Sequence, residues 1–167
     1  MQKVRRRDRE IGLDEIKKAV ADCHVVHLGL NDSPFPYVVP TNYGYEWQGD
    51  QLLLYIHGAR QGKKRDLIAA DPHVCIEIDG GMTLLSAGDE APDYSAYYRS
   101  VIGFGTAELV ADADVKRHAL DLLMQHETGR HLDSFNAIPD NKIFGVGVIK
   151  VTITELTGKA HPAPKTE

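Results

Sequence analysis

The residues most able to do chemistry sit together at Leu53-Leu54-Tyr55-Ile56-His57-Gly58-Ala59-Arg60-Gln61-Gly62-Lys63-Lys64. An apolar run stops at a His-Gly-Ala corner, and a glycine and two lysines follow where a helix is expected to start. Glycines let backbone N–H groups approach a ligand, a helix N-terminus carries partial positive charge, and lysines add full charge. That chemistry suits a phosphate. It is not the ATP P-loop, because Gly58 and Gly62 have three residues between them and Lys63 is followed by Lys64 instead of Ser or Thr. Arg60, Lys63 and Lys64 are all candidates for the contact, with Lys64 preferred over Lys63 and the guanidinium able to fork onto phosphate oxygens. His57 reads either as a corner histidine satisfied by backbone or as a ligand contact.

Other chemistries find less support. Eight histidines invite a metal, but His24 and His27 are three apart on an expected strand and so point to opposite faces. His118 and His126 lie eight apart along an expected helix, too far to share an ion, and no protein metal site is predicted. Cys23 and Cys75 form no CxxC pair and read as small buried hydrophobes without a basic neighbour to activate a thiolate. No Gly-x-Ser-x-Gly elbow supports a hydrolase. Gly103-Phe104-Gly105 and Gly145-Val146-Gly147 complete no dinucleotide fingerprint and are expected to mark bends or tight packing in strands. Thr41 and Asn42 suit either a ligand edge or a turn, and Pro40 lacks an N–H and so frees backbone from sheet pairing.

These residues need a scaffold. A chain of 167 residues fits one domain with a sizeable core, and 43% hydrophobic with 26% charged residues is ordinary globular composition. A net charge of −5 argues against general nucleic-acid binding. The basic run at 3–9 carries Asp8 and precedes Glu10, so residues 1–12 are expected to form a solvated or salt-bridged arm. No apolar stretch can span a bilayer, and the basic N-terminus lacks a signal-peptide core. Two cysteines make no disulfide framework, so the expected location is a reducing cytoplasm, away from membranes.

Leu13, Ile16, Ala19 and Val20 share one face of a helix over 13–22, with Asp14 and Glu15 near its start. Strands are expected over 23–30, 37–45 and 51–57, with Pro40 marking an edge and turns at 31–34 and 48–50 implying antiparallel hairpins. A helix over 63–70 ends before Pro72. A fourth strand covers 73–79, a polar loop 80–92, and a fifth strand lies within 97–110. Val115, Ala119, Leu122 and Leu123 define the best helix, 113–127, followed by a loop at 128–140, a last strand at 144–155 and a frayed tail from 158. About six strands and three helices without regular βαβ alternation predict a mainly β fold: a small antiparallel barrel with flanking helices. The domain is placed at 13–158 and the tail at 159–167.

Four segments, in this order, resemble a known family: Arg6-Arg7-Asp8-Arg9-Glu10-Ile11; Pro36-Tyr37-Val38-Val39-Pro40-Thr41-Asn42-Tyr43-Gly44; His57-Gly58-Ala59 with Gly62-Lys63-Lys64; and Ser100-Val101-Ile102-Gly103-Phe104-Gly105. Together they are similar to the flavin-binding split-barrel proteins related to pyridoxamine 5′-phosphate oxidase, and among these to the 5-nitroimidazole-resistance (Nim) type. The similarity runs over residues 5–158. It implies an FMN-binding split barrel and a homodimer with the flavin at the subunit interface. It implies that Val38, Val39, Pro40, Thr41, Asn42 and Tyr43 flank the isoalloxazine ring through backbone groups. It further implies that His57, Gly58, Ala59, Lys63 and Lys64 hold the ribityl phosphate, and that Ser100 and Val101 lie beside the groove. His131 is a further candidate contact to substrate or flavin. Nim-type relatives often carry a cysteine before the Ser-Val-Ile-Gly strand; residues 80–99 have none and are acidic at 89–93, so no substrate entrance is carried over.

The first functional reading is an FMN-dependent oxidoreductase that reduces a small electron acceptor such as a nitroimidazole, with no catalytic side chain nominated. The alternative is a non-catalytic protein that binds or senses a flavin, deazaflavin or haem, since a phosphate cradle does not identify a ring. A third reading, oxidation of a pyridoxal-type phosphate, needs a second phosphate site, for which Arg99 and the Arg5 to Arg9 arm are the candidates.

Overall fold

The computed structural model describes residues 4–161. Seven strands form one antiparallel sheet: β1 Val26–Leu30, β2 Tyr37–Thr41, β3 Gly44–Gln48, β4 Gln51–Gly58, β5 His73–Leu85, β6 Ser95–Val110 and β7 Gly147–His161. Their order is β2-β1-β5-β6-β7-β4-β3, so two strands adjacent in sequence, β2 and β3, form the opposite edges. Only Asn42 and Tyr43 join them, which holds the Cα atoms of Thr41 and Gly44 within about 11 Å. The sheet must roll up to meet that constraint, yet β2 and β3 do not pair, and the barrel stays split. The mainly β split-barrel expectation holds, with seven strands in place of six because the expected strand at 37–45 is two strands on opposite edges.

Four helices flank the sheet: α1 Leu13–Asp22, α2 Lys63–Ala70, α3 Ala113–Thr128 and α4 Asp140–Gly145. α1 buries Ile16, Ala19 and Val20, the face its periodicity predicts. α3 begins at Asp112, whose carboxylate accepts from the N–H groups of Asp114 (2.9 Å) and Val115 (3.0 Å), and ends at Gly129 in the left-handed region. β4 shows no alternation because both its faces are buried: Leu52, Leu54 and Ile56 fill the barrel, while Leu53 and Tyr55 pack outward with Ala119 of α3.

Three expectations along the chain change. β5 extends to Leu85 through the expected loop; its register slips between Gly80 and Thr83, where Gly81 has φ +67°, and a bulge of this kind hides a strand from composition. α4 occupies the start of the expected last strand, so β7 begins at Gly147. β7 then continues through residues 159–161. Past Thr152 its β4 partner has ended, and Glu10 bridges to Lys159 while the Ile11 N–H donates to the Gly158 carbonyl at 3.2 Å. The end of the N-terminal arm is therefore tied to the barrel. Residues 1–3 and 162–167 of the expected arm and tail lie outside the described residues.

Tyr43 anchors the seam between the two edges. It is fully buried, with its hydroxyl 2.7 Å from the carbonyl oxygens of both Val20 and Cys23. Tyr43→Phe strips both carbonyls of that donor and is expected to lower unfolding free energy by about 1–3 kcal/mol, read as a lower urea midpoint at unchanged slope.

Candidate functional site

Directly paired residues project to the same side of a sheet. One row across β2, β1, β5, β6 and β7 is therefore Pro40, His27, Glu77, Ile102 and Thr157, and the next is Val38, Gly29, Cys75, Phe104 and Glu155. These rows form the outer face of the sheet. Val38, Ile102 and Phe104 remain 57%, 41% and 41% exposed there. Ser100 belongs to the same face and lines a cavity of about 260 Å³ with Arg5, Phe104, Thr157 and Lys159.

The alternation divides the candidate residues. Val38, Pro40 and Ser100 face outward; Val39, Thr41 and the fully buried Val101 lie in the barrel-facing rows. Asn42 donates from Nδ2 to the His24 carbonyl at 3.0 Å, and Thr41 Oγ1 donates to the Asn42 carbonyl at 3.2 Å, so both side chains serve the turn. β2 pairs with β1 alone, which leaves one row of its backbone N–H and C=O groups facing away from the sheet.

The outer face also carries a histidine–carboxylate pair that sequence reasoning missed. His27 Nδ1 stands 3.0 Å from Glu77 Oε2, and burial followed by the Asp79 charge pushes the Glu77 carboxyl above its usual range. Only the strand register places this pair between Pro40 and Ile102, and register is not written in local sequence.

The expected phosphate cradle falls where β4 ends at Gly58 and α2 begins at Lys63. Gly62 has φ +128°, a conformation only glycine adopts readily, and its carbonyl accepts from the N–H groups of Arg65 (2.9 Å) and Asp66 (3.2 Å). The two lysines separate cleanly. Lys63 Nζ is 2.5 Å from Asp32 and 5.0 Å from the Tyr37 ring centre, so it fastens α2 to the β1–β2 connection. Lys64 turns back over the strand end, its Nζ 3.8 Å from where a Cβ on Gly58 would stand. Burial, and then the Arg65 charge, lower the Lys64 pKa, and among the described residues no carboxylate pairs with it. A half-buried ammonium beside a guanidinium gains from an anion what it lost in hydration.

Arg60, Arg65 and Lys116 line an adjoining cavity of about 310 Å³. Lys116 is 6% exposed, and its ammonium donates to the Phe144 carbonyl at 3.5 Å. Gly147 pairs with Gly58 and has no room for a side chain, because a Cβ there would stand 2.4 Å from the Ala59 carbonyl oxygen. His57 is exposed and pairs with Val148, on the opposite side of β4 from Gly58. The structure thus gathers Gly58, Ala59 and Lys64, commits Lys63 to Asp32, and turns His57 away from Lys64.

Other candidates are committed elsewhere. Arg99 donates to Asp22 at 2.6 Å and Arg6 pairs with Asp8 at 2.5 Å. Burial pushes both the Cys23 and Cys75 thiols up, against an activated thiolate. His131 Nδ1 lies 2.9 Å from Asp121 Oδ2, lining a cavity of about 710 Å³ beside α3 with Arg117 and His118. The hydrogen bond to Asp121 raises the His131 pKa above its usual 6.5, and the Leu132 N–H, then His131, hold Asp121 below its usual 3.8. The His131 contribution is complete below pH 6.5 and lost as pH rises through the raised value; that of Asp121 is complete above pH 3.8 and lost as pH falls through the lowered one. The segment after α3 is therefore expected to be held best between those limits. An imidazole NMR titration showing His131 above 6.5, and returning to it in Asp121→Asn, checks this.

The sequence matches the pyridoxamine 5′-phosphate oxidase family over residues 13–160. No protein of curated function matches it. Among solved structures, it is similar to a candidate 5-nitroimidazole antibiotic resistance protein of Bacteroides thetaiotaomicron, with 30% identity, TM-score 0.76, and 90% of this chain and 86% of that one covered. The fold is shared with the flavocytochrome Anf3 of Azotobacter vinelandii (22% identity, TM-score 0.78, 99% and 75% covered). It is shared too with an FAD- and haem-binding protein of Mycobacterium smegmatis (18%, TM-score 0.79, 95% and 76%). The chain belongs to the pyridoxamine 5′-phosphate oxidase-related split-barrel family, on its 5-nitroimidazole-resistance-type branch.

Proposed function

We propose that the chain is an FMN-binding homodimer that reduces a small acceptor of the nitroimidazole class. The observation that carries this reading is the half-buried Lys64 ammonium, turned over Gly58 at the start of α2 without a carboxylate partner among the described residues. Bound there, a flavin supplies hydride acceptance and electron transfer. The chain contributes the rest. Lys64 and the N-terminus of α2 hold the phosphate. The free edge of β2 offers backbone donors and acceptors, and Pro40 and Val38 give the ring an apolar border. The apolar outer face around Ile102 and Phe104 packs against a second copy, which closes the groove over the Ser100 cavity. No helix among the described residues is long and apolar enough to cross a membrane, and a reducing cytoplasm is the proposed location.

A dinucleotide flavin is the second reading, favoured by the Arg60, Arg65 and Lys116 cavity, which suits another phosphate. A visible spectrum of the purified protein, with mass spectrometry of the molecule released by heat, decides between them. The expected result is a yellow dimer in sedimentation that releases FMN and oxidises NADH or NADPH when a nitroimidazole is added. Release of FAD transfers the proposal to the second reading. A colourless protein that takes up neither flavin, or a stable flavin-loaded monomer, contradicts it.

A further inference from the structure

We propose that the cavity among Arg60, Arg65 and Lys116 is a second anion site, suited to a phosphate monoester and filled independently of any ligand at Lys64. This goes beyond the flavin reading and stands whether or not a flavin binds. The cavity encloses about 310 Å³ between the β4–α2 turn, the end of β6, the first turn of α3 and the end of α4. Gly58, Ala59 and Lys64 are not among its lining residues. Three of the residues that line it are cations and none is a carboxylate, so the cavity carries positive charge that the protein does not balance there. The acidic residues nearby in the chain are engaged elsewhere. Asp112 caps α3 through the N–H groups of Asp114 and Val115, Asp140 pairs with Arg117 at 2.8 Å, and Glu108 pairs with Lys150 at 3.3 Å. Among the described residues, none of the three cations takes part in an ion pair.

Lys116 carries the argument. Lysine is almost never buried unless it is paired, yet this one is 6% exposed. The Phe144 carbonyl, 3.5 Å away and at the limit of a hydrogen bond, takes one of its three N–H groups. An ammonium removed from water without a counter-charge is costly, and an anion in the cavity supplies that charge. Arg65 forms another wall. Its Nη1 makes a long 3.5 Å contact with the Val148 carbonyl and stands 3.0 Å from where a Cβ on Gly147 would be. A side chain at Gly147 would crowd the guanidinium, so the glycine keeps that wall open. Arg60 is exposed on the turn before Gly62, free to fold onto an incoming ligand.

The charge selects the ligand. A phosphate monoester carries about −1.5 to −2 at pH 7 and presents three strong acceptor oxygens. Two guanidinium forks and an ammonium match that charge and those oxygens. A carboxylate brings a single charge, and each phosphorus of a diester linkage, as in the bridge of FAD, brings a single charge as well. The cavity therefore suits a terminal phosphate. That group can come as a free small phosphate or as the 2′-phosphate by which NADPH differs from NADH.

The test uses full-length protein in phosphate-free buffer, titrated with methyl phosphate and with dimethyl phosphate by calorimetry and ³¹P NMR. Lys64→Met serves as the background, because it removes the cradle's ammonium. The expected result is one methyl phosphate bound per chain, at least tenfold more tightly than dimethyl phosphate. Adding Lys116→Met or Arg60→Gln is expected to weaken methyl phosphate at least tenfold, while Lys142→Met, an exposed lysine on α4 outside the cavity, leaves it unchanged. Lys116→Met removes a buried charge and is expected to melt no earlier than its background; Arg60→Gln lies on an exposed turn and tests the site if it does. NADPH binding at least tenfold more tightly than NADH, with the difference lost in Lys116→Met, supports the site with the 2′-phosphate as its source. Equal affinity for the two nucleotides, with methyl phosphate still bound, supports it with a small phosphate as the source. Absence of saturable methyl phosphate binding overturns the proposal, as does equal affinity for dimethyl phosphate or indifference to both Lys116→Met and Arg60→Gln. FAD that displaces methyl phosphate and is itself weakened by Lys116→Met gives the cavity to the flavin and overturns it too. A colourless protein that takes up no flavin but passes these titrations refutes the flavin reading alone.

Discussion

Lys64→Met is expected to weaken FMN binding by roughly 10- to 150-fold while leaving riboflavin binding unchanged, the scale of losing a charge-assisted hydrogen bond of about 1.5–3 kcal/mol. The difference between the two ligands is the phosphate, so the comparison isolates the contact assigned to the ammonium. Methionine keeps the apolar stem and removes a half-buried charge whose pKa burial already lowers, so the flavin-free variant should be no less stable than the parent. Lys63→Met is expected to do something else. Lys63 is held by Asp32, and its loss should loosen α2 from the β1–β2 connection with little effect specific to the phosphate. Equilibrium dialysis of both variants with both ligands gives the answer. Equal losses for FMN and riboflavin in Lys64→Met, or a larger FMN loss in Lys63→Met, would remove Lys64 from the site.

Gly147→Ala is expected to cost about 3 kcal/mol and to lower FMN retention with it, whereas Gly145→Ala is expected to stay within about 0.5 kcal/mol of the parent. The two glycines are separated by one residue but sit in different surroundings. At Gly147 an added Cβ meets the Ala59 carbonyl oxygen at 2.4 Å, a backbone atom that cannot rotate aside. It can move only by displacing the turn between Gly58 and Gly62, which carries the cradle. At Gly145 nothing lies within 4 Å. Urea denaturation of the pair, followed by flavin retention at a concentration where both are folded, separates loss of fold from loss of site. Matching midpoints for the two variants would contradict the close approach.

Much of this architecture was legible where order is local. α2 has the bounds that its glycine start and its proline end predict, and α3 differs by one residue at its C-terminus because Gly129 rather than Glu127 sets the stop. The expected close packing at glycines holds at Gly147 and at Gly105, where a Cβ would stand 2.0 Å from the Thr152 carbonyl oxygen, and not at Gly145. What escaped the sequence is non-local. The Gly80-Gly81 bulge reads as loop because glycine and polar residues interrupt the alternation, although β6 supplies a partner strand on the far side. The sequence prefers Lys64 but separates it poorly from Lys63; Asp32, thirty-one residues before Lys63, claims that lysine and makes the distinction. The His27–Glu77 pair and the His24–His126 stack, with ring centres 5.0 Å apart, exist only once strand order is known.

The short link between the two edge strands has a bearing on how the barrel could be cut. Each of the six strand ladders joins neighbours in the order β2-β1-β5-β6-β7-β4-β3, and none pairs β2 with β3, the two strands that Asn42-Tyr43 links. A single nick in the chain there leaves every ladder in place and removes only the tether that keeps the edges together. The two fragments, one ending in β2 and one beginning at β3, would then be held by pairing of β1 with β5 and by the contacts of α1 with β5, β6 and β7. The seam is thus the natural point at which to split this protein into complementing halves, and the edge freed on β2 is the one that faces the proposed ligand.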